Sequence, residues 1–181
     1  MDVQAFLIMF REALEAFLIV GIIVTYLKRI QQRAFIKWIW LGSGFGVLGS
    51  LVAAFLLQVV LTSFAMMNAQ VYLKVGIMFL ASALLGYMVI WMAEQSKGVK
   101  SQLESSIDQY LTAGNVGGLI VLAFSAVLRE GVETVLFFAA ISQGNIQQAL
   151  ASWGAILGLL VAAAVSFLVF RGAMRIPLRT F

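Results

Sequence analysis

The sequence predicts an all-α integral membrane protein, a helical bundle of inverted repeats that each carry an Arg-Glu-x-x-Glu motif. Three observations lead there. Apolar side chains make up 62% of the chain and charged ones only 11%, with a mean hydropathy of +1.02, a balance foreign to ordinary soluble domains. The apolar residues fall in five runs of helix-spanning length, with a single proline, rather than in the short alternating segments of a β-barrel. Two of those runs contain the same pattern of charge, "REALE" and "REGVE".

The first span runs from Val3 to Leu27 and is closed by Lys28, Arg29, Arg33 and Lys37. The chain opens Met-Asp, without a basic leader or a small-residue cleavage site after its first apolar run, so this span reads as a retained helix and not a signal peptide. The second, Trp38 to Thr62, carries the small-residue stripe "GSGFGVLGS". A polar break, "SFAMMNAQ", precedes a third span from Tyr72 to Ala93. The segment "EQSKGVKSQLESSIDQYLTAGN" is too polar to cross a bilayer, yet Leu103, Ile107, Tyr110 and Leu111 recur at helical spacing, as in an amphipathic helix outside the membrane core. The fourth span covers Gly117 to Ala140, and "SQGNIQQ" separates it from a fifth, Leu150 to Phe170. Residues 1–181 then form one transmembrane domain: a first repeat of three helices over 1–93, a cytoplasmic amphipathic segment over 94–116, and a second repeat over 117–181.

Alternating these spans puts Lys28, Arg29, Arg33, Lys37, Lys97, Lys100, Arg171, Arg175 and Arg179 on one side and only Lys74 on the other. The basic side is the cytoplasm, which makes this a multi-pass protein of the cytoplasmic (inner) membrane with its N-terminus outside. Tyr26, Trp38, Trp40, Tyr72 and Trp91 fall near span ends, where amphipathic rings favour the headgroup layer. The net charge of +4 thus reports topology in the lipid bilayer, not a nucleic-acid surface, because the basic residues flank apolar runs instead of forming one stripe. With no cysteine and no histidine, disulfides, thiolate sites, ordinary zinc sites and histidine-ligated haem are excluded. Side chains here can hold a metal only through oxygen or methionine sulfur.

The two charged motifs carry the chemistry. Residues three apart on a helix lie roughly 60° apart and residues four apart roughly 40°, so Glu12 and Glu15 project from one face with Arg11 beside Glu15. Arg129, Glu130 and Glu133 repeat the arrangement on the fourth span, and "WLGSGFG" after the first copy has a weak counterpart in "WGAILG" after the second. Counting rise per residue, Glu12 and Glu15 lie roughly 14 to 18 Å from the outer end of their span, and Glu130 and Glu133 roughly 20 to 24 Å from the inner end of theirs. Both pairs reach mid-depth, where they can converge on one site. A charge at the centre of a membrane helix costs about 2.5 to 3.5 kcal/mol, or about 15 to 20 kcal/mol for the whole set before pairing. Such a set belongs in the bundle interior with compensation. Four carboxylates and two guanidinium groups leave a net negative site that suits a hard, highly charged cation such as ferric iron. The competing structural reading is a buried Arg-Glu network that pins helices together. Its presence in two inverted copies favours a transport site instead.

At these motifs the chain resembles the oxidase-linked high-affinity iron permeases of fungi and their bacterial EfeU-type relatives, whose signature is Arg-Glu-x-x-Glu on the first and fourth transmembrane helices. The resemblance extends through "FLIMFREALEAFLIVGIIVTYLKR" and "VKSQLESSID" and covers essentially the whole chain. It implies an iron permease and not an enzyme. Ferrous iron would be oxidised outside by an extracytoplasmic partner protein and ferric iron handed to the permease, so iron is the transported substrate and no permanent cofactor is expected. Carried over by motif position, Glu12, Glu15, Glu130 and Glu133 would be the iron-binding glutamates, with Arg11 and Arg129 as their charge partners. The family is expected to have seven spans, a three-plus-three repeat with an extra helix, whereas five are read here. The second repeat is therefore expected to be incomplete, in a truncated chain or in a short form that completes its bundle as a homo-oligomer.

Two other functions fit the residues. One is a carboxylate-based transporter or exchanger for another divalent cation or for protons. The other, of a different class, is a non-transporting membrane assembly subunit whose Arg-Glu pairs are structural. Glu104 and Asp108, four apart on the amphipathic segment, are candidate exit-path acids, although a solvated helix face explains them as simply. Glu94 reads as a span-boundary residue. Met66 and Met67 beside Asn68 offer soft ligands for copper(I), against which the mid-depth carboxylates argue. Gly42, Gly46, Gly49, Gly154 and Gly158 read as close-packing positions between helices.

Overall fold

A computed structural model describes residues 3–65, 99–112, 114–142 and 146–173, together with ten helical positions between 71 and 87. Much of the third span, along with Met66, Met67, Asn68, Trp91 and Glu94, lies outside the described residues. Helix α1 is Val3–Arg29, and a single 3-10 turn, Arg33–Phe35, leads into α2, Ile36–Ala65. Helix α3, Val99–Thr112, is the amphipathic segment. It is followed by α4, Val116–Ile141, a short α5, Ile146–Leu150, and α6, Trp153–Ala173. No strand occurs among the described residues.

The helix ends follow from local chemistry. After α1, Gln31 takes a left-handed φ of 61°, and the N–H groups of Gln31 and Gln32 donate back to the carbonyls of Lys28 and Leu27 at 3.2 and 2.9 Å. The same closure ends α3, where Gly114 adopts φ 62° and Gly114 and Asn115 donate to Leu111 and Tyr110 at 3.0 and 2.8 Å. Glycine has no Cβ to oppose that conformation, whereas Gln31 tolerates it to turn α1 into α2. Asn115 then caps α4, its Oδ1 accepting from the Gly118 N–H at 3.0 Å. One Gly-Asn pair thus stops one helix and starts the next.

Packing crosses between the halves. Helix α1 lies along α6 and α2 lies along α4, while the sequential neighbours α1 and α2 barely touch. Small residues set both contacts. A Cβ on Gly46 would stand 2.8 Å from the Cβ of Val127, and one on Gly158 would stand 2.6 Å from the Phe6 carbonyl oxygen. Close approach of helix backbones stabilises membrane bundles through dispersion, since lipid supplies no hydrophobic drive between helices. Five of the buried positions of α2, Gly42, Ser43, Gly46, Ser50 and Ala54, recur at the same spacing in α6 as Gly154, Ala155, Gly158, Ala162 and Ser166. Between these positions both helices expose large apolar side chains, among them Trp40, Phe45 and Phe55 on α2 and Phe167 and Leu168 on α6. That surface suits lipid, not water. By length and composition Arg33–Val60 and Trp153–Arg171 are apolar enough to cross a membrane, whereas α1 and α4 are of similar length but interrupted by their motif charges.

Two apolar clusters bracket the centre. At the basic end, Val20, Ile23 and Leu27 of α1 pack with Ile39 of α2, Ile107 of α3, and Leu119, Ala123 and Val127 of α4. At the opposite end, Ala5 of α1 packs with Phe138 and Ala139 of α4, Ile146 of α5 and Ala155 of α6. Because the end of α1 meets the start of α4, and the start of α1 meets the end of α4, the two motif helices run antiparallel. Their motifs face each other between the clusters.

Candidate cation site

Each motif helix sets out its charges by local geometry. Arg11 and Glu15 are i,i+4 neighbours on α1, and Arg11 Nε contacts Glu15 Oε1 at 3.2 Å while its Nη1 stands 3.1 Å from Glu12 Oε1. On α4 the Arg129 Nε–H donates to Glu133 Oε1 at 3.0 Å. The two central glutamates are the most deeply buried, Glu12 at 1% and Glu130 at 4% exposed.

Across the interface, Glu12, Glu130 and Glu133 each offer a carboxylate oxygen, and these three oxygens lie within 4.8 Å of one another. Three of the four glutamates singled out by sequence therefore come together. Glu15 stands outside that trio, held by Arg11, but within electrostatic reach of Glu133 and Arg129 of the other copy. Both oxygens of Glu12 and Oε2 of Glu130 are buried without a hydrogen-bond partner among the described residues. The Arg11 contact with Glu12 is close but poorly aligned, so it neutralises charge without satisfying the oxygen. Buried carboxylate oxygens without donors are costly, and a cation held among them removes that cost.

A cavity of about 400 Å³ opens beside Glu12 and Glu130, between α1, α2 and α4. Hydroxyl groups on its wall were not singled out by sequence. Thr134 Oγ1 donates to the Glu130 carbonyl at 2.8 Å, and Ser50 Oγ donates to the Gly46 carbonyl at 2.9 Å. Ser43, 8% exposed, keeps its hydroxyl without a partner among the described residues. Gly131, inside the second motif, admits Ser50, because a Cβ there would strike the serine hydroxyl. The only sequence signal for these positions is the spacing of Ser43 and Ser50 along the small-residue stripe, which reads as packing.

The acids of α3 stand apart from the trio. Asp108 accepts from the Tyr26 hydroxyl, whose oxygen lies 2.8 and 2.7 Å from its two carboxylate oxygens, and thereby ties α3 to the end of α1. Glu104 is half-buried one turn before it.

The model of the iron permease FTR1 family matches residues 2–181. This chain belongs to that family. Among relatives of the FTR1-family chain, the ferrous iron permease EfeU of Yersinia pestis is 37% identical over 178 residues, which cover 97% of this chain and 62% of the relative. The protein of the same name in Shigella sonnei is 36% identical over 181 residues, covering 97% of this chain and 64% of the relative. The chain thus spans less than two thirds of the length of these relatives. No solved structure matches it.

Proposed function

We propose that this chain is the iron-handling part of a permease of the cytoplasmic membrane, which transports iron and performs no reaction of its own. Ferric iron, formed outside by an oxidising partner protein, enters from the N-terminal side and is taken by Glu12, Glu130 and Glu133 at mid-depth. Glu15 becomes a fourth ligand once Arg11 releases it. The iron then leaves toward the basic, cytoplasmic end. The observation that carries this reading is the set of buried carboxylate oxygens from both motif helices that lack hydrogen-bond donors among the described residues.

The charge balance fits a cation that comes and goes. The four glutamates and two arginines sum to minus two when ionised, so the arginines hold the site together between passages without cancelling its attraction for a trivalent ion. Carboxylate oxygens are hard ligands, which favours ferric iron over soft metals. The apolar clusters on either side support a carrier over an open channel, since a bare ion does not cross a dry layer of Ile23, Leu27, Ile39 and Ile107. Passage then requires those helix ends to part alternately, as expected for antiparallel repeats.

Uptake of radiolabelled iron into proteoliposomes, competed with manganese and zinc, tests the reading. Glu12→Ala, Glu15→Ala, Glu130→Ala and Glu133→Ala should each lower iron uptake at least about tenfold, a loss of about 1.4 kcal/mol or more, with insertion unchanged. Normal uptake in two or more of these variants would remove the assignment. Equal uptake of manganese or zinc would point to a general divalent-cation carrier.

A further inference from the structure

A second cavity, about 490 Å³, lies between the ends of α1 and α6, and the iron-handling reading does not use it. Its lining is ordered by chemistry along the helix axes. At the helix ends stand Lys28 of α1 and Arg171 of α6, with Phe170 and Phe167 within about one turn of Arg171 and Phe17 deeper on α1, and among the described residues no carboxylate lines it. Just below the Phe170 and Phe167 rings along α6 lies Ser166, 5% exposed, whose hydroxyl has no hydrogen-bond partner among the described residues. Like Ser43 at the cation site, and unlike Ser50 and Thr134, Ser166 has no hydrogen bond back to its own helix among the described residues, and a buried hydroxyl without a partner carries a cost that a ligand removes.

The cavity is built rather than incidental. The Phe170 ring rests on Gly21, where any Cβ would collide with it. The Arg171 guanidinium sits 5.8 Å from the centre of the Phe167 ring. By helix rise, Ser166 lies roughly 7.5 Å deeper than Arg171. Lys28 and Arg171 serve as topology signals wherever they point, so that role does not explain why both line one cavity with a buried hydroxyl beneath them.

We propose that this cavity binds an anionic phospholipid. The phosphate sits between Lys28 and Arg171, the Phe167 and Phe170 rings flank the glycerol, the Ser166 hydroxyl donates to a glycerol ester carbonyl, and an acyl chain runs on past Phe17. Charge selects the occupant: each basic residue near the surface raises the affinity for acidic lipid about fivefold.

Native mass spectrometry of the detergent-purified protein, titrated with phosphatidylglycerol and with phosphatidylcholine, tests this. Phosphatidylglycerol should bind about 30-fold more tightly, from two basic residues together. The preference should vanish in Lys28→Gln with Arg171→Gln and survive in Lys37→Gln, whose amine lies over the Trp38 ring instead. Ser166→Ala, which leaves both charges in place, should weaken phosphatidylglycerol binding and keeps the test open should the double variant misfold. No preference in the unaltered protein, or a preference that persists in the double variant, overturns the proposal. So does displacement of the lipid by inorganic phosphate at equal concentration, which would make the ligand a free anion.

Discussion

Arg11 holds two carboxylates at once, and only a guanidinium has the shape for it. Its Nη1 and Nε stand 3.1 and 3.2 Å from Glu12 and Glu15, donors spread around a planar fork that a lysine ammonium concentrates on one atom. Arg11→Lys keeps the charge and loses the fork. It should insert normally yet lower iron uptake about tenfold or more, as measured in the same proteoliposomes; unchanged uptake would mean that charge alone suffices. At this scale the sequence was highly legible. Charge is so costly in a membrane helix that Arg11, Glu12, Glu15, Arg129, Glu130 and Glu133 announce themselves, and their spacing fixes the face they share. The separation of Glu15 from the trio was not legible, because it depends on side-chain conformation, on which way Arg11 turns. The hydroxyls of Ser43, Ser50 and Thr134 were equally silent, since serine and threonine occur freely in membrane helices as packing residues.

At the scale of elements, glycine decides how closely the halves approach. A Cβ on Gly158 would lie 2.6 Å from a backbone oxygen of α1, and backbone cannot move aside as a side-chain tip can, whereas a Cβ on Gly44 would meet nothing within 4 Å. Gly158→Ala should therefore lower thermal stability in detergent by about 1 to 3 kcal/mol as α6 is pushed off α1, while Gly44→Ala should not. Equal effects at the two positions would show that the approach of α6 to α1 is not the cause. The sequence placed α1, α2, α4 and α6 within a few residues of their observed bounds, because long apolar runs closed by basic or polar residues leave little choice. It missed α5, the turn Ile146–Leu150, whose first three residues read as linker and whose last opened the fifth span. What makes that turn a helix is tertiary: Gln58 Oε1 of α2 accepts from the Ile146 N–H at 3.0 Å, and Ile146 is buried in the far cluster. The amphipathic reading of α3 was right in its apolar face, since Ile107 is fully buried at the basic end. The sequence offered Asp108 as an exit-path acid; what the structure shows of it is the hydrogen bond from Tyr26 that ties α3 to α1.

At the centre of the described residues stand two motif helices, antiparallel, each packed along the second helix of the other half. Two copies of one motif in inverted halves foretold that the glutamates meet. The exchange of partners, α1 with α6 and α2 with α4, was not legible, because small-residue stripes say that a helix packs closely without saying on what. Its consequence is that neither half completes the site alone: Glu12 comes from one half and Glu130 and Glu133 from the other, with an apolar cluster above and below. The central claim is that iron binds where the halves meet, and anomalous scattering from crystals of the protein grown with ferric iron tests it most directly. The account expects one iron peak bounded by carboxylate oxygens of Glu12, Glu130 and Glu133, absent in Glu130→Ala. Iron bound away from these residues, with the three glutamates contacting only protein, would contradict it.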